Sequence, residues 1–522
     1  MIANKYNILW VDDEIDLLRS IILFLKQKGY NVVEATNGED ALQAIKNYDF
    51  DIVFMDEMMP GMGGLETLLA IKEIDSSLPV VMVTKNETES LMEEAIGNKI
   101  SDYLIKPVNP NQVLLVCKKI LESRKLKGDQ LAKNYLQGFN EISAALMDVL
   151  TWEDWINIHV KMANWEIELD DHPELGLKQT ILDQRRECNV EFSKFIEAKY
   201  QDWVSTDSNR PVLSPDVIEK HVIPELEKYK SVFFIIVDCM RLDQWLVMEK
   251  YLSNYFRISK DYYYSILPTA TPYARNAIFA GLFPSELEKH YPELWKQNDD
   301  DENSKNAFEK EFLINLLQRK KVKLRTDIRY TKIMDSEFSR GIENKILTFT
   351  GNHLNAIVIN FVDMIAHSRS DNAILKEIAP DESAYRSLTE SWFEHSSFFG
   401  MLRKLATRND IKLIITTDHG SIRCLHGVKT LGDRESSPNL RYKYGKNLKV
   451  DSRNAIFIKN PIDFKLPKRN GLVSYIIAKE DFYFVYPTDY HKYLSQYNDT
   501  FQHGGISMEE MILPIVHLEP KI

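Results

Sequence analysis

Three aspartates and three histidines stand where a metal-dependent hydrolase would need them. Asp238 ends the apolar run Phe233–Val237, Asp418 and His419 follow Lys-Leu-Ile-Ile-Thr-Thr, and Asp363 follows Ala-Ile-Val-Ile-Asn-Phe-Val. Near-continuous apolar runs read as buried parallel strands, and a carboxylate just past such a strand points into the crevice where open sheets bind ligands. His367 lies four residues after Asp363, so the two share one helical face and can hold one ion. His503 sits in Phe-Gln-His-Gly-Gly-Ile, where glycine lets backbone approach a site closely. His395 and His426 are the available substitutes for it. A mixed oxygen and nitrogen set suits Zn²⁺ and tolerates Mn²⁺, and six ligands suffice for two ions that each keep an open position.

A nucleophile candidate lies between the first and second ligand groups, in Leu267-Pro-Thr-Ala-Thr271-Pro-Tyr-Ala-Arg275. A threonine hydroxyl is a poor nucleophile until metal coordination lowers its pKa. Two ions about 4 Å apart would clamp the attacking and phosphoryl oxygens. A phosphothreonine intermediate and its hydrolysis by water would follow. The bland alternative is that Thr269 and Thr271 cap the next helix. Arg275 has two readings, a grip on a substrate phosphate or an ion pair with a structural carboxylate.

A second set of polar residues lies near the N-terminus. Asp12 and Asp13 follow one expected strand, and Asp56, Thr84 and Lys106 each follow another, with Pro107 behind the lysine. At the carboxyl edge of a parallel sheet all five converge. Gathered carboxylates need a cation, and Mg²⁺ accepts oxygen ligands while leaving room for water and phosphate. A carboxylate can then attack a phosphoryl donor, with the Thr and Lys groups holding the new phosphate oxygens.

The elements that must position these groups follow from periodicity. Strands are expected at Asn7–Trp10, Asn31–Glu34, Ile52–Met55, Val80–Val83 and Tyr103–Ile105, with helices such as Ile15–Lys28 and Leu65–Ile74 between them. Such alternation predicts a doubly wound α/β unit with a parallel sheet. The charged stretch Glu122–Gln130 is expected to end it. Three amphipathic helices then predict a connector bundle, or simply a spacer. A polar, Pro-containing boundary at Ser205–Pro215 leads into a larger α/β region, with strands at Val232–Val237, Ala356–Phe361 and Leu413–Thr416. Asn454–Ile458 and Phe482–Val485 are further candidates, and a polar insertion is expected around Lys296–Lys305. The expected divisions are therefore 1–122, 123–205 and 206–522.

Residues 5–122, with Asp56-Glu-Met58-Met-Pro-Gly-Met-Gly-Gly, closely resemble a response-regulator receiver domain. That resemblance implies Asp56 as phosphoacceptor and Asp12, Asp13, Asp56 and the Met58 carbonyl as Mg²⁺ ligands. It makes Tyr103 the switch aromatic beside Thr84 and Lys106. From about Pro211 onward the motifs resemble the alkaline phosphatase superfamily, specifically its nucleotide phosphodiesterase-like branch and PglZ-type domains. This implies Asp238, Asp418 and His419 at one Zn²⁺ and Asp363, His367 and His503 at the other. The nucleophile would be Thr271, the second Thr of Pro-Thr-x-Thr, with Gly281-Leu-Phe-Pro284 about ten residues on. Arg275 departs from the Asn frequent near there, which leaves substrate charge and size open.

Together the three parts are similar to PorX-type response regulators. The resemblance implies a sensor histidine kinase partner and a link to type IX secretion. A receiver joined to a helical bundle suggests a phosphorylation-dependent homodimer, and a sigma factor is the kind of partner that a binding module would hold. The expected activity is phosphodiester hydrolysis on nucleotides or oligonucleotides. The alternatives are a metal-stabilised protein-binding module or a phosphomonoesterase. A net charge of −12 argues against broad DNA binding, and no helix-turn-helix follows the receiver, so no direct contact with double-stranded DNA is expected. The four cysteines form no CxxC pair, which fits a reducing, cytoplasmic setting. Neither a signal peptide nor a membrane span is expected.

Overall fold

The computed structural model describes all residues except 1–5, 76, 86–99, 207, 296–305, 372, 434–436, 438, 469–472, 489 and 522, and the side chains of 122–127, 129, 336, 367–371 and 373. The insertion expected around Lys296–Lys305 lies outside the described residues. The chain forms two compact units, Met1–Gln137 and Gly138–Ile522.

In the first unit every expected strand is present and all pair in parallel. The sheet order is Tyr30–Ala35, Tyr6–Val11, Ile52–Asp56, Val80–Thr84, Asp102–Ile105. The order reverses between Tyr6–Val11 and Ile52–Asp56, which opens a crevice at their carboxyl ends. Apolar layers cover both faces, one around Trp10 and Phe54, the other around Leu9, Met55 and Leu68. The charged stretch Glu122–Gln130 is not a break. Helix Pro110–Cys117 passes through a π-turn at Lys118–Glu122 straight into helix Ser123–Ala145. Lys, Arg, Leu and Gln in that stretch are good helix formers, and charge alone does not stop a helix.

The second unit is built on a six-stranded sheet ordered Phe256–Tyr264, Ile512–Pro520, Ile411–Thr416, Ser231–Val237, Leu354–Ile359, Arg329–Ile333. Ile512–Pro520 runs antiparallel to both neighbours, and the other strands are parallel where they pair. The central strands are buried along their whole length, as their unbroken apolar runs require. The strand expected to reach Phe361 stops at Ile359, and Phe361 opens helix Phe361–Asp371. The apolar run continues there as a half-buried first turn rather than as sheet. Ala455–Ile458 joins a separate antiparallel sheet, and Phe482–Val485 pairs with His426–Lys429 away from the main sheet.

Helices Trp152–Asp170 and Lys178–Ser205 belong to this second unit, tied to it by a buried charge network. Arg185 donates to Glu166 (2.7 Å) and lies 3.5 Å from both Glu382 and Glu509. Arg386 reaches Glu166 (3.2 Å), Asp170 (2.7 Å) and Asp243 (3.0 Å). Asn189 donates to Glu509 (3.0 Å) and accepts from the Met508 amide (2.8 Å). A free-standing spacer would not carry buried polar partners on another element.

His159 is buried beside this network, and burial pushes its pKa down to about 4, with Glu509 and Asp243 opposing and Arg185 and Arg241 reinforcing the shift. A histidine that resists protonation in the fold contributes stability above its unfolded pKa of about 6.5, and that contribution is lost as pH falls towards the folded value. Chemical denaturation between pH 7 and 4 is expected to lose up to about 3 kcal/mol through this group. His159→Gln should shallow the slope by that share; an unchanged slope would contradict its burial as a neutral group.

Candidate functional site

Each candidate residue of the second unit lies at the carboxyl edge of the main sheet or on a segment folded over it. Asp238 follows Ser231–Val237 and is buried. Cys239 then takes a left-handed backbone conformation (φ 63°), which turns its amide towards Asp418 Oδ1 at 3.4 Å. Met240 donates its amide to Thr417 Oγ1 (3.0 Å), which locks the two strand ends together. Asp418 and His419 are fully buried past Ile411–Thr416. Gly420 follows where no side chain fits, since a Cβ would lie 2.0 Å from the Glu509 carbonyl oxygen.

Ligand atoms of Asp238, Asp418 and His419 lie within 4.8 Å of one another. His419 Nδ1 is 3.0 Å from the Gly420 carbonyl, which can only accept, so Nδ1 carries the proton. Its Nε2 lone pair therefore faces the carboxylates and Thr271 Oγ1, 2.9 Å away. Burial holds the imidazole pKa below its ordinary value, although Asp238 and Asp363 oppose this. Thr271 stands in the first turn of helix Thr271–Ala280, whose N-cap is Ala270, so its hydroxyl is not spent on capping. Thr269 is a latch instead. It donates to the Gly505 carbonyl (2.7 Å) and accepts from the Gly504 amide (3.1 Å), fixing the loop that carries His503.

The second ligand group lies beside the first. Asp363 is in the first turn of helix Phe361–Asp371, with Oδ1 3.7 Å from His503 Nε2. The His503 ring stacks on that of His419 at 4.3 Å. His367 falls on the same helix as Asp363, and its side chain lies outside the described residues. The substitutes are engaged elsewhere: His395 with the Ser391 carbonyl and His426 with Asp481.

Arg275 is buried and spent on carboxylates. Its Nη2 is 2.8 Å from Asp238, and its Nε is 3.3 Å from both Asp418 and Glu309. The reading of Arg275 as a substrate-phosphate grip gives way to the ion-pair reading, because no part of the guanidinium faces an open crevice. Glu309 and Asn360, 3.4 Å from Arg275 Nη1, were not expected here. Neither follows a recognisable motif.

One guanidinium does not balance this set. Burial raises the Asp238 carboxyl well above the usual range. Arg275 opposes the shift, while Asp418 and Asp363 add to it. Asp418 is likewise raised by burial against the pull of Arg275. Asp238 Oδ1 is buried and accepts no hydrogen bond from the described residues. Buried carboxylates lacking positive charge, with a neutral imidazole lone pair aimed among them, fit a divalent cation.

In the first unit, ligand atoms of Asp12, Asp13 and Asp56 also lie within 4.8 Å of one another. Lys106 Nζ bridges Asp12 (2.8 Å) and Asp56 (2.9 Å). Burial raises the Asp56 carboxyl, opposed by the Lys106 hydrogen bond. The Met58 amide also bonds to Asp56, while the Met58 side chain is exposed. Thr84 is buried and its hydroxyl donates to Glu57. Tyr103 is 45% exposed.

Comparison with known families matches three segments of the chain. Residues 8–118 match the response regulator receiver domain, 125–204 the PorX response regulator linker domain, and 217–518 the BREX system PglZ alkaline phosphatase-like domain, the last covering more than half of the chain. The chain belongs to the PorX-type response regulators. Curated relatives match over about a quarter of the chain. The transcriptional regulatory protein ResD of Bacillus subtilis is 32% identical over 119 residues, 23% of this chain and 49% of ResD. ZraR of Salmonella typhimurium is 31% identical over 145 residues, 28% of this chain and 33% of ZraR. The chain thus spans half or less of the length of these curated relatives. Among solved structures, a CheY-like receiver from Methanospirillum hungatei is 28% identical, covering 23% of this chain and 98% of its own, with a TM-score of 0.23. TrrA of Thermotoga maritima, solved with Mg²⁺ and BeF, is 29% identical, covering 22% and 99%, with a TM-score of 0.20.

The close approach at Gly420 yields a test of the site's scaffold. Gly420→Ala is expected to force the Glu509 backbone away and cost more than about 2 kcal/mol in denaturant unfolding. A loss under about 0.5 kcal/mol would contradict this packing.

Proposed function

We propose that this PorX-type regulator is a phosphorylation-controlled, metal-dependent phosphodiesterase, with nucleotides or oligonucleotides as substrates. The observation that carries this reading is the Thr271 hydroxyl beside His419 Nε2 at the Asp238–Asp418 pair. Asp238, Asp418 and His419 would hold one Zn²⁺ or Mn²⁺, and Asp363, His367 and His503 a second. Bound cations would lower the Thr271 hydroxyl pKa and offset charge on phosphoryl oxygens. Thr271 Oγ1 would attack phosphorus as its proton passes to solvent, and the P–O bond to the leaving alkoxide would break, that oxygen taking a proton from water. Water then hydrolyses the phosphothreonine ester and restores the hydroxyl. Thr271 stands at the positive end of the helix Thr271–Ala280 dipole, which would favour the developing negative charge. With Arg275 committed to three carboxylates, the second negative charge of a monoester would lack that cation, which favours diesters.

In the receiver, Asp12, Asp13, Asp56 and the Met58 carbonyl would hold Mg²⁺, and Asp56 would accept the phosphoryl group. Lys106 and Thr84 would leave their present partners for phosphate oxygens, and Tyr103 would move with Thr84. A sensor histidine kinase is the proposed phosphodonor. The proposed setting is a cytoplasmic regulator of type IX secretion, with a sigma factor as a further partner. Among the described residues no helix is long and apolar enough to cross a membrane.

Thr271→Ala should retain the wild-type metal content and lose at least about 10³-fold in turnover of a chromogenic phosphodiester. Asp418→Ala should lose metal as well. Turnover by Thr271→Ala at the wild-type rate would refute the nucleophile. Phosphorylation is proposed to drive homodimerisation. Sedimentation with beryllofluoride and Mg²⁺ should show a dimer that Asp56→Asn does not form, and a monomer under both conditions would exclude this control.

A further inference from the structure

Away from the candidate catalytic residues, a second combination of two histidines and one carboxylate meets at a single point. His517 lies on strand Ile512–Pro520 and Asp261 on its neighbour Phe256–Tyr264. Ile515 pairs with Asp261 and His517 with Ser259, so His517 and Asp261 are diagonal neighbours on one face of the sheet. His221, from the π-turn Ile218–Val222, covers that face. His517 pairs with Ile414, four residues before Asp418 and therefore roughly 13 Å back along the strand.

We propose that His221, Asp261 and His517 form a binding site for a divalent transition-metal ion of the Zn²⁺ class, one that clips the helical entry of this unit to its C-terminal strand. The same three atoms make every contact. His221 Nδ1 is 3.2 Å from His517 Nε2. Asp261 Oδ2 is 3.8 Å from the first and 3.7 Å from the second. Ligands bound tetrahedrally at 2.0–2.2 Å stand about 3.4 Å apart, so this triangle closes on an ion with small shifts. Both imidazoles are largely buried, whereas the Asp261 side chain is 61% exposed, which leaves the fourth position open to water.

The histidines are in the form a metal needs. Burial pushes the His221 pKa down to about 4, and burial lowers that of His517 with Lys412 adding to the effect. Both are therefore neutral at pH 7 and offer lone pairs. The nearest cations do not fill the gap. Lys412 is held by Glu519 at 2.6 Å, and Lys220 acts on His221 only through its charge. A histidine–histidine hydrogen bond alone would account for the 3.2 Å contact but not for the carboxylate that closes the triangle.

The full-length protein, stripped with chelator and reloaded at micromolar free Zn²⁺, should hold one more equivalent than His517→Asn or Asp261→Asn by mass-spectrometric metal analysis. In an Asp418→Ala/Asp363→Ala background, which disables both candidate catalytic ion sites, Co²⁺ should still give the absorption of a four-coordinate ion, and His221→Asn should abolish it. Asp261→Asn alters an exposed side chain, so it reads the site even if His517→Asn does not fold. Phosphodiester turnover should be unchanged in Asp261→Asn. Metal content equal to wild type in Asp261→Asn, or an extra equivalent appearing only at millimolar Zn²⁺, would overturn the proposal.

Discussion

Asp238, Asp418 and Glu309 surround one guanidinium, that of Arg275, in a place closed to water, with Asp363 close enough to add its own charge. Burying carboxylates without equal positive charge is among the most unfavourable arrangements a fold can hold. The surrounding structure is arranged to maintain it. Cys239 accepts a left-handed backbone, Met240 and Thr417 tie the strand ends, and Gly420 lies against the Glu509 carbonyl where any side chain would clash. Thr269 holds the His503 loop down. In the proposed reading, a cation among these groups would offset that electrostatic deficit, which is the link between the fold and the proposed chemistry.

A second concentration of buried charge lies between the connector helices and the same segments. Arg241, three residues past Asp238, shares Asp243 and Glu382 with the network that includes Arg185, Arg386 and Glu166. Glu509 meets Arg185 and Asn189 on one side, while its carbonyl packs at Gly420. A shift of helix Lys178–Ser205 would therefore be felt at the segments that present Asp238 and Asp418. Lys106 plays a comparable part in the receiver, bridging Asp12 and Asp56 in a way that phosphate or Mg²⁺ would have to rearrange.

The receiver was legible because its sheet is parallel and its central strands are buried, so Ile52–Met55 and Val80–Val83 are unbroken apolar runs that end at the polar residues Asp56 and Thr84. Asp238 and Asp418 likewise come just after buried strands, whereas Asp363 lies four residues past Ile359 in the first turn of a helix. Phe361 was misread because an apolar residue in a buried first helical turn has the same pattern as a strand end. An ion pair was one of two readings of Arg275, but its partner Glu309 could not be read, since it reaches the guanidinium from a helix 34 positions away in sequence with no motif to mark it. Connector residues such as Arg185 and Glu166 look like ordinary charges on an amphipathic helix. Only their partners on distant segments, Glu382, Glu509 and Arg386, reveal them as interior.

The central claim is that the negative charge around Asp238 and Asp418 is completed by metal. Diffraction from crystals of the Zn²⁺-replete protein, recorded on both sides of the zinc absorption edge, tests it most directly. The account predicts an anomalous peak about 2.0–2.2 Å from Asp238, Asp418 and His419, with a second between Asp363 and His503. Well-ordered side chains with no anomalous density among them would contradict it.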